Sequence, residues 1–137
     1  MNRRERLEMA YAAHHAGHAR YGFSYRVAER GPLFAAWVGT DKRVLDLGCR
    51  DGYLTQHYAT GNAVTGVDID QQALALASKN LGISTVWLDL NRMQLPFDDG
   101  SFDVVVAGEI LEHLVAPAFV VGEARRVLTP GGVLVGS

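Results

Sequence analysis

The stretch RVLDLGCRDGYLTQHYA, residues 43–59, decides the fold, because an apolar run stops at a glycine and a helical pattern follows it. The apolar run predicts a buried β-strand, and residues 52–60 predict a helix for which Asp51 is a suitable N-cap. Gly48 and Gly52 lie in the intervening loop, where glycine lets the main chain touch a ligand. This arrangement is typical of sheets that bind nucleotides beyond the carboxyl ends of their strands.

Strand and helix patterns continue to alternate toward the end of the chain. Further strands are predicted at 63–67, 84–88, 102–107 and 133–135, and helices at 71–81 and 117–128. Asp70 is a suitable N-cap for the helix that begins at residue 71, and Gly82 ends that helix. Because parallel strands need helical crossovers of one hand, we expect an α/β fold with a Rossmann-like, doubly wound, mostly parallel sheet.

The residues before the first strand have a helical pattern of their own. One face of a predicted helix over 3–20 carries Leu7, Tyr11, His14 and His18. Two shorter helices are predicted over 24–30 and 32–38, with Pro32 in the first turn of the second. We therefore expect residues 1–40 to form an N-terminal helical lid or cap segment.

Composition and charge narrow the function classes. The chain has 137 residues, of which 48% are hydrophobic and 20% charged, as is ordinary for a globular domain. Its formal net charge is −2, so no basic field favours a nucleic-acid partner. The single cysteine, Cys49, fits a reducing compartment, and no stretch approaches the ~20 apolar residues that span a bilayer. We expect a cytoplasmic protein without a membrane span.

An acidic residue points to the kind of ligand. Asp68 ends the second predicted strand, twenty positions after Gly48, where a carboxylate can accept both hydroxyls of a ribose. This pair indicates an adenosine-containing cofactor without choosing one. A nicotinamide site usually has the spacing G-x-G-x-x-G, whereas Arg50 and Tyr53 occupy two positions where that loop needs small residues. The loop therefore argues against a dinucleotide.

Four segments occur together in a recognisable order: VLDLGCRDG, GVDID, LDLNRMQLPFDDGSFDVVVAGEILEHL and EARRVLTPGGVLVGS. They resemble the class I S-adenosylmethionine-dependent methyltransferases, in particular the branch that includes the quinone-biosynthesis methyltransferases. The resemblance implies S-adenosylmethionine as the cofactor and a small molecule as the methyl acceptor. It also implies that residues 41–137 form the cofactor-binding, Rossmann-like domain. Because the family fold normally continues past the fifth strand with an antiparallel hairpin, we expect this domain to be C-terminally truncated relative to the family.

The resemblance further implies roles for individual residues. Four of them match the motif around the methionine end of the cofactor: Asp46, Gly48, Cys49 and Gly52. Asp68 matches the acid that holds the ribose hydroxyls, and Ile69 matches the apolar residue that packs on the adenine. Asp89 and Leu90 match the pair that meets the adenine amino group and ring, and Ala107 ends the strand that borders the methionine moiety.

One residue departs from the family pattern, and one is a candidate for catalysis. Arg50 stands where the family usually has glycine, and its side chain crowds the cofactor, turns outward or pairs with the cofactor carboxylate. Methyl transfer is an in-line displacement that needs alignment, and it needs a general base only when the acceptor must lose a proton. His113 is the candidate base, beside Glu109 and Glu112 where the family's substrate pocket opens, and a packing or capping role is its alternative.

The sequence also bears on a metal site, on alternative functions and on a partner chain. His14 and His18 are four residues apart, and His15 lies between them, but no clear third ligand accompanies them, so no metal is expected. A cofactor-binding but catalytically inactive regulatory or scaffold domain is the alternative to an enzyme, and a nicotinamide-dependent oxidoreductase is a weaker one. An exposed fifth strand would be an aggregation-prone edge, so a second copy or a partner chain is expected to cover it.

Overall fold

The computed structural model of the chain describes residues 1–7, 9–10, 21–108 and 110–137. Within these ranges five parallel strands form one sheet in the order β3-β2-β1-β4-β5. The strands are β1 Arg43–Leu47, β2 Ala63–Asp68, β3 Ser84–Trp87, β4 Phe102–Ala107 and β5 Leu128–Gly136. The helices are α1 Val27–Val38, α2 Gln56–Ala59, α3 Gln71–Leu81 and α4 Pro117–Val127, with a 3₁₀ turn at Leu111–His113. The predicted Rossmann-like fold class is confirmed.

The strand order places the candidate site. The chain runs outward from β1 through β2 to β3 and then returns to β4 on the other side of β1. Strand order therefore reverses between β1 and β4, and ligands of open α/β sheets bind in the crevice at such a point. The loop that follows β1 lies at this crevice.

The sheet is buried on both faces, as its apolar strands predict. On one face α1, α2 and α3 bury Phe34, Tyr58 and Ala77 against strand residues that include Val104. On the other face α4 buries its apolar side against residues that include Val105. Adjacent residues of β4 thus serve opposite cores, which is why this strand has consecutive valines.

The N-terminal helices differ from the prediction. The two helices predicted over 24–30 and 32–38 are a single helix, α1, with Pro32 inside it. Proline removes one backbone donor from a helix interior. The burial of Phe34 and Val38 in the core outweighs that loss locally. Residues 3–7 and 9–10 are helical, whereas Tyr11, His14, His15 and His18 lie outside the described residues.

The helix after the first loop is also shorter than predicted. Regular helix covers only Gln56–Ala59, and residues 51–55 form turns. Asp51 is not the N-cap of this helix. Its Oδ1 accepts from the Tyr53 N–H at 3.3 Å, and its Oδ2 accepts from the Gly22 N–H at 2.6 Å. The carboxylate thus holds the loop to the N-terminal segment instead of starting a helix.

The last strand begins earlier than predicted. α4 ends at Val127, and β5 starts at Leu128, which pairs with Phe102. The register then shifts, so that Val133 pairs with Val104. The Pro130-Gly131-Gly132 segment therefore forms an irregularity within β5, because a proline and two glycines interrupt the pairing without ending the strand. In the part of the chain that is described, no helix is both long and apolar enough to cross a membrane.

Candidate functional site

The loop after β1 is bent at two glycines that no other residue could replace easily. Gly48 has φ 68° and Gly52 has φ 82°, a region in which residues with a Cβ are strained. A Cβ at Gly48 would lie 2.9 Å from the Ile110 side chain, and one at Gly52 would lie 2.6 Å from that of Leu81. Both glycines therefore bring the loop close against its neighbours at the crevice.

Arg50 adopts the conformation that glycine would favour. Its φ is 53°, which costs a residue with a side chain about 1 kcal/mol. Its backbone N–H donates to the Asp68 Oδ2 at 2.9 Å. The loop at this position therefore combines a left-handed backbone with a long side chain.

Asp68 lies at the tip of β2 with its carboxylate held by main-chain donors. Besides the bond from Arg50, its Oδ1 accepts from the Asp70 N–H at 2.9 Å. The neighbouring Ile69 is half-buried, and its carbonyl accepts from the Trp87 Nε1 at 2.8 Å. The tips of β1, β2 and β3 are thereby joined into one rim, with the Asp68 carboxylate fixed at its centre.

Asp46 lies beneath the loop and is buried. Its Oδ2 accepts from the Thr55 Oγ1 and from the Tyr58 hydroxyl, both at 2.6 Å. Burial raises the pKa of Asp46 to about 6, although these two hydrogen bonds act in the opposite direction. The carboxylate ties the turns and the helix after the loop to β1. Thr55 and Tyr58 were missed by sequence reasoning, although their spacing of three places them on one side of a helical turn.

The tip of β3 is covered by the N-terminal segment. Asp89 accepts from the Arg3 Nη1 at 3.0 Å through Oδ2 and from the Asn91 N–H at 3.1 Å through Oδ1, and its side chain is 4% exposed. The Arg4 guanidinium lies 4.2 Å from the centroid of the Trp87 ring. Leu90 is buried in the core. The carboxylate of Asp89 therefore faces an arginine and not solvent.

A cleft opens between the β1 loop, the end of β4 and the N-terminal segment. It encloses about 320 Å³ of empty space, part of it open to solvent. The residues that line it include Phe23, Ser24, Gly48, Cys49, Tyr53 and Gly108. The Cys49 thiol is buried, and burial raises its pKa, so it lines the cleft as an unreactive group. Ala107 is fully buried at the end of β4, just before Gly108.

Ser24 is another residue of the cleft that no sequence signal identified. It is 4% exposed, and within the described residues its Oγ has no hydrogen-bond partner. A buried hydroxyl without a partner costs roughly 1–3 kcal/mol, so such groups are rare in folded proteins. A lone serine before a helix carries no recognisable motif, which is why the sequence did not reveal it.

His113 lies apart from the cleft lining. It belongs to the exposed 3₁₀ turn, where its Nε2 is 3.6 Å from the Glu112 Oε1. Glu109 lies outside the described residues. The described ranges also contain no group of three His, Cys, Asp or Glu side chains that could hold a metal.

Comparisons with known proteins agree with this geometry. Residues 45–136 match a protein family described as a methyltransferase domain. Over 114 residues the chain is 34% identical to the ubiquinone biosynthesis O-methyltransferase of Paraburkholderia xenovorans, an alignment that covers 76% of this chain and 49% of that protein. The chain thus spans about half the length of the curated relatives it matches.

Two solved structures show the same fold at recognisable sequence similarity. One is an S-adenosylmethionine-dependent methyltransferase from Mesorhizobium loti, with 30% identity and a TM-score of 0.63 over 72% of this chain and 47% of that one. The other is the cyclase SpnF, with 29% identity and a TM-score of 0.66 over 78% of this chain and 43% of that one.

Proposed function

We propose that this chain, which belongs to the class I S-adenosylmethionine-dependent methyltransferase family, transfers the methyl group of S-adenosylmethionine to a hydroxyl of a small-molecule acceptor. The observation that carries the proposal is the β1 loop, which bends at two glycines and donates a backbone N–H to the Asp68 carboxylate at the switch point of the sheet. The similarity to O-methyltransferases supports the choice of a hydroxyl acceptor.

The residues present fit the cofactor. The Asp68 carboxylate, fixed by main-chain donors, would accept the ribose hydroxyls, and Ile69 would pack on the adenine. Asp89 would accept from the adenine amino group, with the Leu90 backbone beside the ring. The methionine moiety would occupy the cleft, whose lining includes Asp46, Gly48 and Cys49 and offers the Ser24 hydroxyl, which has no partner among the described residues. Gly52 of the same loop and Ala107 at the end of β4 would lie beside it.

The chain contributes to the reaction by aligning the reactants and by excluding water. When bound, the cofactor supplies a methyl group that its sulfonium already activates, so the protein has to align the acceptor and exclude water. The glycine bends and the Asp46 hydrogen bonds hold the loop in one geometry for that purpose. We keep His113 as the proposed base for an acceptor that must lose a proton, although it lies on an exposed 3₁₀ turn outside the cleft lining.

The N-terminal segment would act as a cap on this site. Contacts from three described residues support a cap within residues 1–40, since Arg3 binds Asp89 and the Gly22 N–H binds Asp51, while the Tyr21 hydroxyl donates to the Asp70 Oδ2 at 2.7 Å. Residues 41–137 would form the cofactor-binding domain.

The one cysteine supports a cytoplasmic location. A second copy or a partner chain is proposed to cover β5, on which Val133 and Leu134 are partly exposed.

Calorimetric titration tests the binding half of the proposal, and a transfer assay tests the other half. The chain should bind S-adenosylhomocysteine and not NAD. It should also move a labelled methyl group from S-adenosylmethionine to one or more hydroxylated aromatic compounds in a panel. Binding of NAD in place of S-adenosylhomocysteine would contradict the proposal.

A cofactor-binding domain without methyl transfer is the second candidate. The likeness to a structure described as a cyclase favours this candidate, because a protein with the same fold is described there by an activity other than methyl transfer. Arg50 favours it too, since a long side chain lines the cleft at a position where the family has glycine. Tight binding of S-adenosylhomocysteine with no transfer to any acceptor would support this candidate, and transfer gained by the Arg50→Gly variant would assign the inactivity to the Arg50 side chain.

A further inference from the structure

The Ser24 hydroxyl is a polar group of the cleft that has no hydrogen-bond partner among the described residues. Its Oγ is buried, and the described residues offer it neither a donor nor an acceptor. The other buried hydroxyls of the cleft are satisfied, because those of Thr55 and Tyr58 both donate to the Asp46 Oδ2. The cleft therefore holds one hydroxyl that folding has desolvated without giving it a bond.

The chemistry around Ser24 indicates what would complete it. The methionine end of the cofactor carries an ammonium group and a carboxylate. Asp46 and Asp51 line the same cleft, and their carboxylates suit the ammonium group but would repel the carboxylate, whereas the Arg50 side chain, which also lines the cleft, would attract it. A carboxylate in this place needs a donor, and a serine hydroxyl can provide one O–H.

We propose that Ser24 is a cofactor-binding residue whose Oγ–H donates to the carboxylate of the methionine moiety. This inference rests on the proposed function, because it assumes that the cleft takes that end of S-adenosylmethionine. The Ser24 hydroxyl gains its missing bond only when the cofactor is bound. Ser24 lies in the N-terminal segment, so the bond also connects that segment to the bound cofactor.

The test compares two cofactors that differ only in the carboxylate. Ser24→Ala should weaken binding of S-adenosylmethionine about tenfold to a hundredfold, the range expected for a lost hydrogen bond to a charged group. Its affinity for decarboxylated S-adenosylmethionine should stay within about twofold of the wild-type value. Titration calorimetry measures both.

Thermal unfolding without ligand provides a second readout. Ser24→Ala removes a buried group that has no partner, so its Tm should equal or exceed that of the wild type. Ser84→Ala is the matched control, because Ser84 is an exposed serine at the start of β3, away from the carboxyl ends of the strands. Ser24→Cys, which keeps the size of the side chain but donates weakly, should also lose affinity for S-adenosylmethionine.

The outcomes separate this inference from the proposed function. Wild-type protein that binds neither cofactor contradicts the proposed function, and the inference fails with it. Wild-type protein that binds both, with Ser24→Ala unchanged toward S-adenosylmethionine, leaves the function standing and overturns the inference. Equal losses for the two cofactors, or a lowered Tm that accounts for the loss, would also overturn it, because either result assigns Ser24 a structural role.

Discussion

The two ends of the candidate cofactor site differ in whether their polar groups already have hydrogen-bond partners. At the methionine end, a glycine-bent loop borders a cleft, and the buried Ser24 hydroxyl has no bond among the described residues. At the adenine end, the Asp89 carboxylate is already bonded to Arg3 and is 4% exposed. The methionine end therefore lacks a partner that a ligand can supply, whereas the adenine end holds a partner that a ligand has to displace.

The difference teaches that buried hydrogen bonds within the α/β domain and an exposed ion pair to Arg3 affect different properties of the protein. Asp46, below the methionine end, belongs to a buried network within the α/β domain. Arg3 is 46% exposed on its side chain, so its ion pair with Asp89 is expected to be weak and sensitive to salt. We expect changes in the buried Asp46 network to alter stability strongly and changes at Arg3 to alter affinity modestly.

The largest expected effect concerns Asp46 and pH. Its pKa is raised from 3.8 to about 6, so the folded state binds more protons than the unfolded state between about pH 4 and 6. The contribution of this group to stability is therefore present at low pH and lost as pH rises through 6, by about 3 kcal/mol. Asp46→Asn, which cannot ionise, should gain that amount relative to wild type between pH 4 and pH 7.

Denaturant unfolding at several pH values measures the effect. Asp103→Asn is a control with the opposite pH dependence. Hydrogen bonds from Arg43 lower the pKa of Asp103 to about 2, so the stabilising effect of the Asp103 carboxylate disappears at low pH. Parallel pH profiles of the unfolding free energy for the wild type and Asp46→Asn would show that Asp46 does not bear a buried charge.

A smaller effect is expected at the adenine end. Arg3→Gln uncovers the Asp89 carboxylate, so affinity for S-adenosylhomocysteine should rise about two- to fivefold, the range of an exposed ion pair. Raised salt should reduce the difference between variant and wild type. Arg6→Gln removes the same charge from an exposed neighbouring position and should change nothing. Weaker binding by Arg3→Gln would mean that Arg3 contacts the cofactor instead of competing with it.

The smallest effect is expected at Arg50. Arg50→Gly relieves a left-handed backbone at φ 53° but adds freedom to the unfolded chain, so stability should rise by only about 0.5 kcal/mol. Asp41→Gly is a matched control with φ 58°, placed before β1 at the other end of the strand. Affinity for S-adenosylmethionine should change in Arg50→Gly and stay constant in Asp41→Gly. A drop in Tm for both would contradict the assignment of strain.

Local signals predicted much of this structure. Asp70 caps α3 through a bond to the Ala73 N–H, and Gly82 ends that helix with φ 66°, both as expected. Consecutive apolar residues located β1, β2 and β4 to within a residue or two, because parallel strands are buried on both faces. The family resemblance is confirmed, since it depended on several motifs in a fixed order.

The features that sequence reasoning missed depend on contacts between distant parts of the chain. Pro32 indicated a new helix, but the core burial of Phe34 and Val38 keeps α1 continuous around it. Arg3 and Asp89 are 86 positions apart, and no local pattern pairs them. The roles predicted for individual cofactor-binding residues stay predictions that ligand titrations have to test.

The most direct test of the central claim is the affinity of Asp68→Ala for S-adenosylhomocysteine. If the Asp68 carboxylate holds the ribose hydroxyls, titration calorimetry should show a loss of tenfold or more. Asp98→Ala, an exposed aspartate in the loop before β4, should bind like the wild type. An Asp68→Ala variant that is folded and binds S-adenosylhomocysteine with wild-type affinity would contradict the account.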